Sequence, residues 1–202
     1  AAVPVCSPTR ASILSGRYPA RDGITTWIRK DSDVHLDPNQ MNVARALKNA
    51  GYTTAYTGKW HVGWAEENWP DKFGFDHCIG VREMDNKGPD SGENGIDYKF
   101  RELMGFMESH SEEPFFYELG LQAIHNGDNF ASEELYNKYL NLLEGTTPAE
   151  MSVEDAAGYY ATLEHIDINM GRLLQKTKDL GIDNNTIIVY YSDNGANKRI
   201  DG

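Results

Sequence analysis

Residues able to bind and transfer an anionic group occur close to the start of the chain. Cys6 and Arg10 stand in the segment Cys-Ser-Pro-Thr-Arg, where Ser7 predicts a helix N-cap and Pro8 the first helical position. Gly16 predicts the end of this short helix. A helix N-terminus offers free backbone N–H groups and the positive end of the helix dipole to a bound anion. Arg10, one turn after Cys6, is close enough to hold the same group.

Further polar clusters follow three predicted strands. Runs of strand-forming residues occupy 52–57, 115–121 and 186–191. The polar residues that come after them are Lys59 and His61, then His125, then Asp193 and Asn194. In open α/β sheets, ligands bind outside the carboxyl ends of the strands. We therefore expect these clusters to meet at one edge of a sheet.

Asp193 and Asn194 carry the oxygen ligands that hard cations prefer. Their chemistry predicts Ca²⁺, with Mg²⁺ as the competitor, because the thiolate and imidazole ligands that favour zinc are not grouped near them. Two side chains do not complete the roughly six to eight oxygen ligands of Ca²⁺. Further ligands are therefore expected from elsewhere.

Helical patterns alternate with the predicted strands. Apolar residues at helical spacing predict helices over 39–50 and 98–109, and the strongest pattern predicts a helix that begins at Ser152 and is ended by Gly181. The stretch 64–95 is rich in Gly, Pro, Asp and Asn and has no sustained period, which predicts a long irregular surface excursion suited to substrate-specific loops. The alternation of helices and strands indicates an α/β layer fold.

Composition and charge argue against several classes of protein. The 202 residues are 40% hydrophobic, which is ordinary for a globular domain and unlike a disordered chain. The formal net charge of −12 argues against a nucleic-acid or anionic-membrane partner. No stretch is apolar over the ~20 residues of a membrane span, and two cysteines are too few for a disulfide framework. Oligomeric state is left open.

Three segments carry a resemblance to a known family. Residues 6–17 resemble the first sulfatase signature, whose Cys-x-Pro-x-Arg core is recognised by the formylglycine-generating enzyme. Residues 51–61, which end in Gly-Lys-Trp-His, resemble the second signature, and Ser-Asp-Asn-Gly at 192–195 resembles the late metal-binding segment. The resemblance covers nearly the whole chain. It implies an alkaline-phosphatase-like α/β fold with a mostly parallel sheet flanked by helices, and residues 1–202 are expected to be an internal part of the catalytic domain, incomplete at both ends.

The resemblance also implies a reaction. Cys6 would be oxidised to formylglycine, whose hydrated aldehyde attacks the sulfur of a sulfate ester and is later regenerated by elimination. Arg10 and Lys59 match residues that hold the formylglycine and the sulfate. His61 matches the base of the elimination step, and His125 matches the residue that contacts sulfate and helps to protonate the leaving oxygen. Where the family often has proline before this last histidine, the chain has isoleucine.

The metal site implied by the resemblance has Asp193, Asn194 and the modified Cys6 among its ligands. Its Ca²⁺ or Mg²⁺ would lower the pKa of the attacking hydroxyl. Sulfatases take the remaining ligands from an acidic pair before the cysteine motif and place a second catalytic lysine after the Asp-Asn pair. Neither region is expected within this chain, and Lys198 lies too close to Asp193 to be assigned that role.

Three functions stay open at this point. The leading expectation is hydrolysis of a sulfate ester, with a sulfated carbohydrate favoured by Thr26, Trp27 and the stretch 64–95. Relatives with the same modified cysteine hydrolyse phosphonate or phosphate esters. The sequence does not show whether the site prefers these anions to sulfate esters, from which they differ by one charge. The third function is a catalytically inactive domain, and the chain by itself is expected to be inactive. Export to the periplasm, the extracellular space or the lysosome is implied by the resemblance alone.

Overall fold

The structure of the protein, a computed structural model, describes residues 3–79, 95–124, 131–146 and 151–195. The chain divides into two compact units. The first unit comprises Ala1–Met84, Phe106–Gly120 and Ile188–Gly195. The second unit comprises Asp85–Gly105, Leu121–Ile187 and Ala196–Gly202.

Three parallel strands form the sheet of the first unit. They are β1 (Thr53–Gly58), β2 (His77–Ile79) and β3 (Phe115–Gly120). β1 lies in the centre, between β2 and β3. Tyr56 of β1 pairs with Glu118 of β3, and Gly58 pairs with Gly120, so the carboxyl ends of the two strands are level. The sequence predicts β1 and β3, and the structure confirms both.

The helix of the cysteine motif, α1 (Cys6–Ser15), begins earlier than the sequence predicts. Its N-cap is Val5 rather than Ser7, and no side chain caps it. Ser7 is fully buried, and its Oγ accepts a hydrogen bond from the Ile28 N–H at 3.0 Å. A serine whose side chain binds a distant main-chain group does not cap its own helix, and the proline that follows it becomes the third helical residue. Gly16 ends the helix with φ 67°, as expected.

The next helix, α2 (Val43–Asn49), is shorter than the helix predicted over 39–50. It begins after Asn42, whose side chain accepts a hydrogen bond from the Arg45 N–H at 3.0 Å. An asparagine that caps in this way fixes the first helical residue. The apolar spacing therefore placed the start of this helix too early.

Aromatic rings fill the core of the first unit. Trp60 packs edge-on against Tyr56 and against Phe73, with ring centroids 5.0 Å apart in both pairs. Its indole N–H donates to the Asn68 carbonyl at 2.6 Å, so the buried ring has a hydrogen-bond partner. The other buried members of this core are Ala11, Leu14, Ile24, Ile28, Leu36, Ala44, Val62 and Phe75.

The prediction of a surface excursion over 64–95 is wrong for its first half. This half contains short 3-10 helices at Glu66–Asn68 and Pro70–Phe73, followed by β2. Phe75, between the second 3-10 helix and β2, is buried. Short turns that bury single aromatic rings show no sequence periodicity. The Gly and Pro content of this half therefore predicted a surface loop instead. The second half, 80–94, lies outside the described residues.

The strand predicted over 186–191 is not a strand in the described structure. Ile187 is 91% exposed and Val189 is 72% exposed. A strand requires a neighbour for its N–H and C=O groups, and within the described ranges β1, β2 and β3 pair only with one another. The apolar composition of the segment was therefore not sufficient to predict its conformation here.

Helices make up the described part of the second unit. α4 (Glu133–Leu143), which the sequence did not predict, packs against α5 (Val153–Asp179). An ion pair of 2.6 Å joins Lys138 to Glu164 between them. α5 begins directly after Ser152, whose side chain caps it, in agreement with the helix start predicted at Ser152.

The predicted helix over 98–109 is part of a longer one, α3 (Gly95–Ser109), whose residues up to Gly105 belong to the second unit. There, Asp97 Oδ1 accepts a hydrogen bond from Asn169 Nδ2 at 2.9 Å and lies 3.0 Å from His165 Nε2. This polar cluster ties α3 to α5. None of the helices in the described ranges is long and apolar enough to cross a membrane.

A buried threonine fixes the start of β1. Thr54 is fully buried, and its Oγ1 donates to the Gly74 carbonyl at 2.7 Å and lies 2.9 Å from Asp76 Oδ2. Burial raises the pKa of Asp76, but hydrogen bonds from Lys48 and Thr54 outweigh that effect and leave the pKa below its ordinary value. The same threonine thus holds the segment that leads into β2.

We expect Thr54→Val to lower the free energy of unfolding by about 1–3 kcal/mol, because it leaves the Gly74 carbonyl without its hydroxyl donor. Thr53→Val is the matched control, since the Thr53 hydroxyl reaches Glu113 at 3.3 Å in an exposed contact, and its effect should stay below about 0.5 kcal/mol. Urea unfolding of both variants measures the difference. Equal losses in the two variants would contradict the role of Thr54.

Candidate active site

A buried cysteine and a buried lysine meet at the N-terminus of α1. Cys6 is the first residue of α1 and is 7% exposed. Lys59, directly after β1, is 4% exposed, and its Nζ lies 3.4 Å from the Cys6 Sγ. The motif after β1 therefore brings a cationic side chain to the sulfur of the first motif. This contact joins the first and second predicted site segments.

Arg10 extends the site by one turn of α1. Its Nε donates to Asp193 Oδ2 at 2.8 Å, and its Nη1 donates to the Lys59 carbonyl at 2.6 Å and to Tyr56 Oη at 3.4 Å. Burial lowers the pKa of Arg10, but Tyr56, Asp193 and Glu118 raise it and leave it above its ordinary value. Arg10 is thus a fixed cation beside Lys59.

The backbone of Lys59 organises these contacts. Its carbonyl accepts hydrogen bonds from Arg10 and from the Tyr56 hydroxyl, and its N–H donates to the Gly120 carbonyl at 2.8 Å. Gly120 ends β3 and leaves room for this arrangement. A Cβ at Gly120 would lie 2.5 Å from the Lys59 carbonyl oxygen and 3.0 Å from Arg10 Nη1, so the position excludes every larger residue without a shift of the backbone.

His61 is held at the end of the same motif. It is buried, and its Nε2 lies 3.0 Å from the Ile28 carbonyl. A carbonyl only accepts hydrogen bonds, so Nε2 carries the proton and, in the neutral ring, the lone pair is on Nδ1. The Ile28 N–H in turn binds Ser7 in α1. The backbone of Ile28 therefore connects His61 to the helix that carries Cys6.

Asp193 and Asn194 offer oxygen atoms next to Arg10. Asp193 accepts the hydrogen bond from Arg10, and Asn194 Oδ1 is shielded from solvent with no hydrogen-bond partner among the described residues. Such an oxygen suits a hard cation, so these two residues fit part of the implied Ca²⁺ or Mg²⁺ site. In the ranges that the structure describes, no group of three or more His, Cys, Asp and Glu side chains is arranged as a complete metal site.

Two ionisable groups that the sequence analysis missed lie beside Arg10. Tyr56 is 1% exposed, and burial raises its pKa against the lowering effect of Arg10. Burial also raises the pKa of Glu118 to about 7, again against Arg10. Glu118 Oε2 is shielded from solvent and has no hydrogen-bond partner among the described residues. Glu118 is the one charged residue in a strand-like run of seven, 115–121, and that isolated charge could have marked it.

The structure thus places four predicted site residues in one cluster. Lys59 contacts Cys6 and Arg10, and Arg10 contacts Asp193. His61 joins them through Ile28 and Ser7. Asn194 follows Asp193 in the chain. His125 lies outside the described residues, so its predicted role stays a prediction.

We expect Gly120→Ala to lower the free energy of unfolding by about 1–3 kcal/mol, because the new methyl group would overlap the Lys59 carbonyl. Gly171→Ala is the matched control, since a Cβ at Gly171 in α5 would meet no atom of the described residues within 4 Å. This control should gain about 0.5–1 kcal/mol from better helix propensity. Thermal unfolding measures both, and a gain in the Gly120 variant would contradict the close approach.

The raised pKa of Glu118 predicts how stability depends on pH. A carboxyl whose pKa is higher in the folded than in the unfolded state contributes its full stability below the unfolded pKa and loses it as the pH rises through about 7. Glu118→Gln has no such loss. Its free energy of unfolding relative to the parent should therefore rise by about 1–3 kcal/mol between about pH 4 and about pH 8.

Urea unfolding at several pH values measures this change. Glu113→Gln provides the control, because Glu113 is exposed. Parallel stability profiles for the parent and the Glu118 variant would show that Glu118 titrates normally.

The amino-acid sequence of the chain matches a known protein family. A sequence model of the sulfatase family matches residues 1–199. An ulvan-active sulfatase from Formosa agariphila is 29% identical over 95% of this chain and 41% of its own length. An N-acetylgalactosamine-6-sulfatase from Mus musculus is 27% identical over 96% of this chain and 42% of its own. The chain therefore spans less than half the length of these relatives.

A solved structure, the putative sulfatase yidJ from Bacteroides fragilis, superposes with a TM-score of 0.75. It is 20% identical, and the superposition covers 91% of this chain and 50% of that one. The expected α/β fold of the alkaline-phosphatase-like type, with a parallel sheet and flanking helices, is confirmed. With the family match over nearly every residue, the chain belongs to the sulfatase family.

Proposed function

We propose that the protein hydrolyses sulfate esters with a formylglycine nucleophile made from Cys6. The observation that carries this proposal is the contact of Lys59 Nζ with the Cys6 Sγ at 3.4 Å, at the N-terminus of α1 and beside the fixed cation Arg10. A helix N-terminus and two cations favour a bound oxyanion. The family membership of the chain points to sulfate as that oxyanion.

Formylglycine, once formed, would supply a hydrated aldehyde whose hydroxyl attacks sulfur as the ester S–O bond breaks and the alcohol leaves with a proton. The other residues act around it. Lys59 and Arg10 bind the sulfate oxygens and stabilise the negative charge that develops during transfer. The Lys59 backbone holds both cations in one arrangement, so little reorganisation is required when the substrate binds. His61 accepts a proton at Nδ1, since its Nε2 proton is bound to Ile28.

Asp193, Asn194 and the modified Cys6 would hold a divalent metal, Ca²⁺ or Mg²⁺. When bound, the metal would lower the pKa of the attacking hydroxyl. The solvent-shielded Asn194 Oδ1 supports this assignment. Asp193 also binds Arg10 at 2.8 Å, so the same carboxylate would connect the metal to a sulfate-binding cation.

The proposed substrate is a sulfated carbohydrate. The relatives that match nearly the whole chain include an ulvan-active sulfatase and an N-acetylgalactosamine-6-sulfatase, both of which bear the names of carbohydrates. We propose that His125 helps to protonate the leaving oxygen. The formylglycine-generating enzyme would modify Cys6 during maturation, and the protein would be exported from the cytoplasm.

The first experiment measures the mass of the tryptic peptide that carries Cys6 and ends at Arg10, from protein co-expressed with the formylglycine-generating enzyme. We expect a loss of about 18 Da at Cys6, as thiol becomes aldehyde. Full-length enzyme with modified Cys6 should hydrolyse an aryl sulfate or a sulfated sugar in the presence of Ca²⁺. Cys6→Ala should abolish both signals, whereas Cys78→Ala, which removes the exposed cysteine, should retain both.

Two results would overturn the proposal in different ways. An unmodified Cys6, in an expression strain that modifies a known sulfatase, would favour a catalytically inactive domain. A modified Cys6 that hydrolyses phosphonate or phosphate esters but no sulfate ester would assign the site to those substrates. Parallel assays with the three ester types distinguish these cases.

A further inference from the structure

The carboxyl of Glu118 has no function in the proposed reaction, yet it interacts electrostatically with Arg10, one of the two proposed sulfate-binding cations. It points to the face of β3 that also carries Gly120, because alternate residues of a strand share a face. That face meets Arg10, Tyr56 and the Lys59 carbonyl, since a Cβ at Gly120 would touch all three. Glu118 pairs with Tyr56 across the sheet.

The contacts of Glu118 suit an electrostatic role rather than a structural one. The described side chains contain no direct ion pair between Glu118 and Arg10, and Glu118 Oε2 has no hydrogen-bond partner among them. Arg10 is instead held by Asp193, the Lys59 carbonyl and Tyr56. Removal of the Glu118 charge should therefore leave Arg10 in place and change only the field around it.

We infer that Glu118 is a specificity-determining residue that favours singly charged sulfate esters over doubly charged phosphate monoesters. This inference rests on the proposed function. An ionised carboxylate close to Arg10 lowers the positive potential at the anion site. Because Coulomb energy scales with the charge of the ligand, this lowering disfavours a dianion about twice as strongly as a monoanion. The sequence did not show how the site distinguishes these anions, and Glu118 supplies a physical means.

The charge state of Glu118 sets the pH at which this selectivity operates. Burial raises the pKa of Glu118 to about 7, so the carboxylate is ionised in mildly alkaline solution. The groups that influence its surroundings are Arg10 from α1, Tyr56 from β1 and Tyr191, while Asp193 binds Arg10 directly. Arg10 keeps its charge throughout this range, because its pKa is raised above the ordinary value. Glu118 is therefore the member of this group that changes charge near neutrality.

The test compares kcat/KM for an aryl sulfate and for the matching aryl phosphate, in the full enzyme with modified Cys6. At about pH 8, where the phosphate monoester is a dianion, Glu118→Gln should raise kcat/KM for the phosphate relative to the sulfate by about tenfold. At about pH 5.5 the parent carboxyl of Glu118 is mostly protonated, so the gain should shrink to less than about twofold. Glu113→Gln, in an exposed position before β3, should leave the ratio unchanged at both pH values.

The outcomes separate this inference from the proposed function. An enzyme that hydrolyses sulfate esters, with a ratio that Glu118→Gln leaves unchanged at about pH 8, overturns the role of Glu118 alone. A parent enzyme that hydrolyses no sulfate ester overturns the proposed function. Glu118→Met replaces the first variant if thermal unfolding shows that the Gln variant is unstable. A merely structural role of Glu118 would lower kcat/KM for both esters in parallel, and that result would also overturn the inference.

Discussion

The carbonyl group of Lys59 is the acceptor on which the candidate site depends. It binds the guanidinium of Arg10 and the hydroxyl of Tyr56, while the N–H of the same residue binds the Gly120 carbonyl. One residue thus connects α1, β1 and β3. The Lys59 side chain reaches Cys6 from this fixed backbone, so the two cations and the cysteine have a defined spacing before any ligand binds. Such preorganisation is what stabilises developing charge most effectively.

The electrostatics of the site differ from those of the chain as a whole. The formal net charge is −12, yet Arg10 and Lys59 place two cationic side chains in a mostly buried region. Buried cations require nearby negative charge or hydrogen-bond acceptors. Arg10 has the Asp193 carboxylate and the Lys59 carbonyl. A local basic site is therefore compatible with an acidic protein, because the charge of Arg10 is offset by the carboxylate of Asp193 beside it.

The sequence predicted the parts of this arrangement that depend on local pattern. The strands β1 and β3, the end of α1 at Gly16 and the cap of α5 at Ser152 follow from residue type and spacing. Contacts made across the chain were not predictable in this way. Ser7 looked like a helix cap because its binding to Ile28 depends on tertiary structure. The environment of Glu118 was likewise not predictable, because its neighbours, Arg10 and Tyr56, are distant in sequence.

The backbone beyond each of the two site strands carries a further constraint. His61, after β1, and Ile124, after β3, are non-glycine residues with positive φ angles, 61° and 64°. Such angles are rare for residues with a Cβ, and a β-branched residue adopts them only when its surroundings enforce it. Proline, whose φ is locked near about −65°, could not adopt the conformation of Ile124. A proline at position 124 would therefore require a backbone conformation different from the one that this chain has after β3.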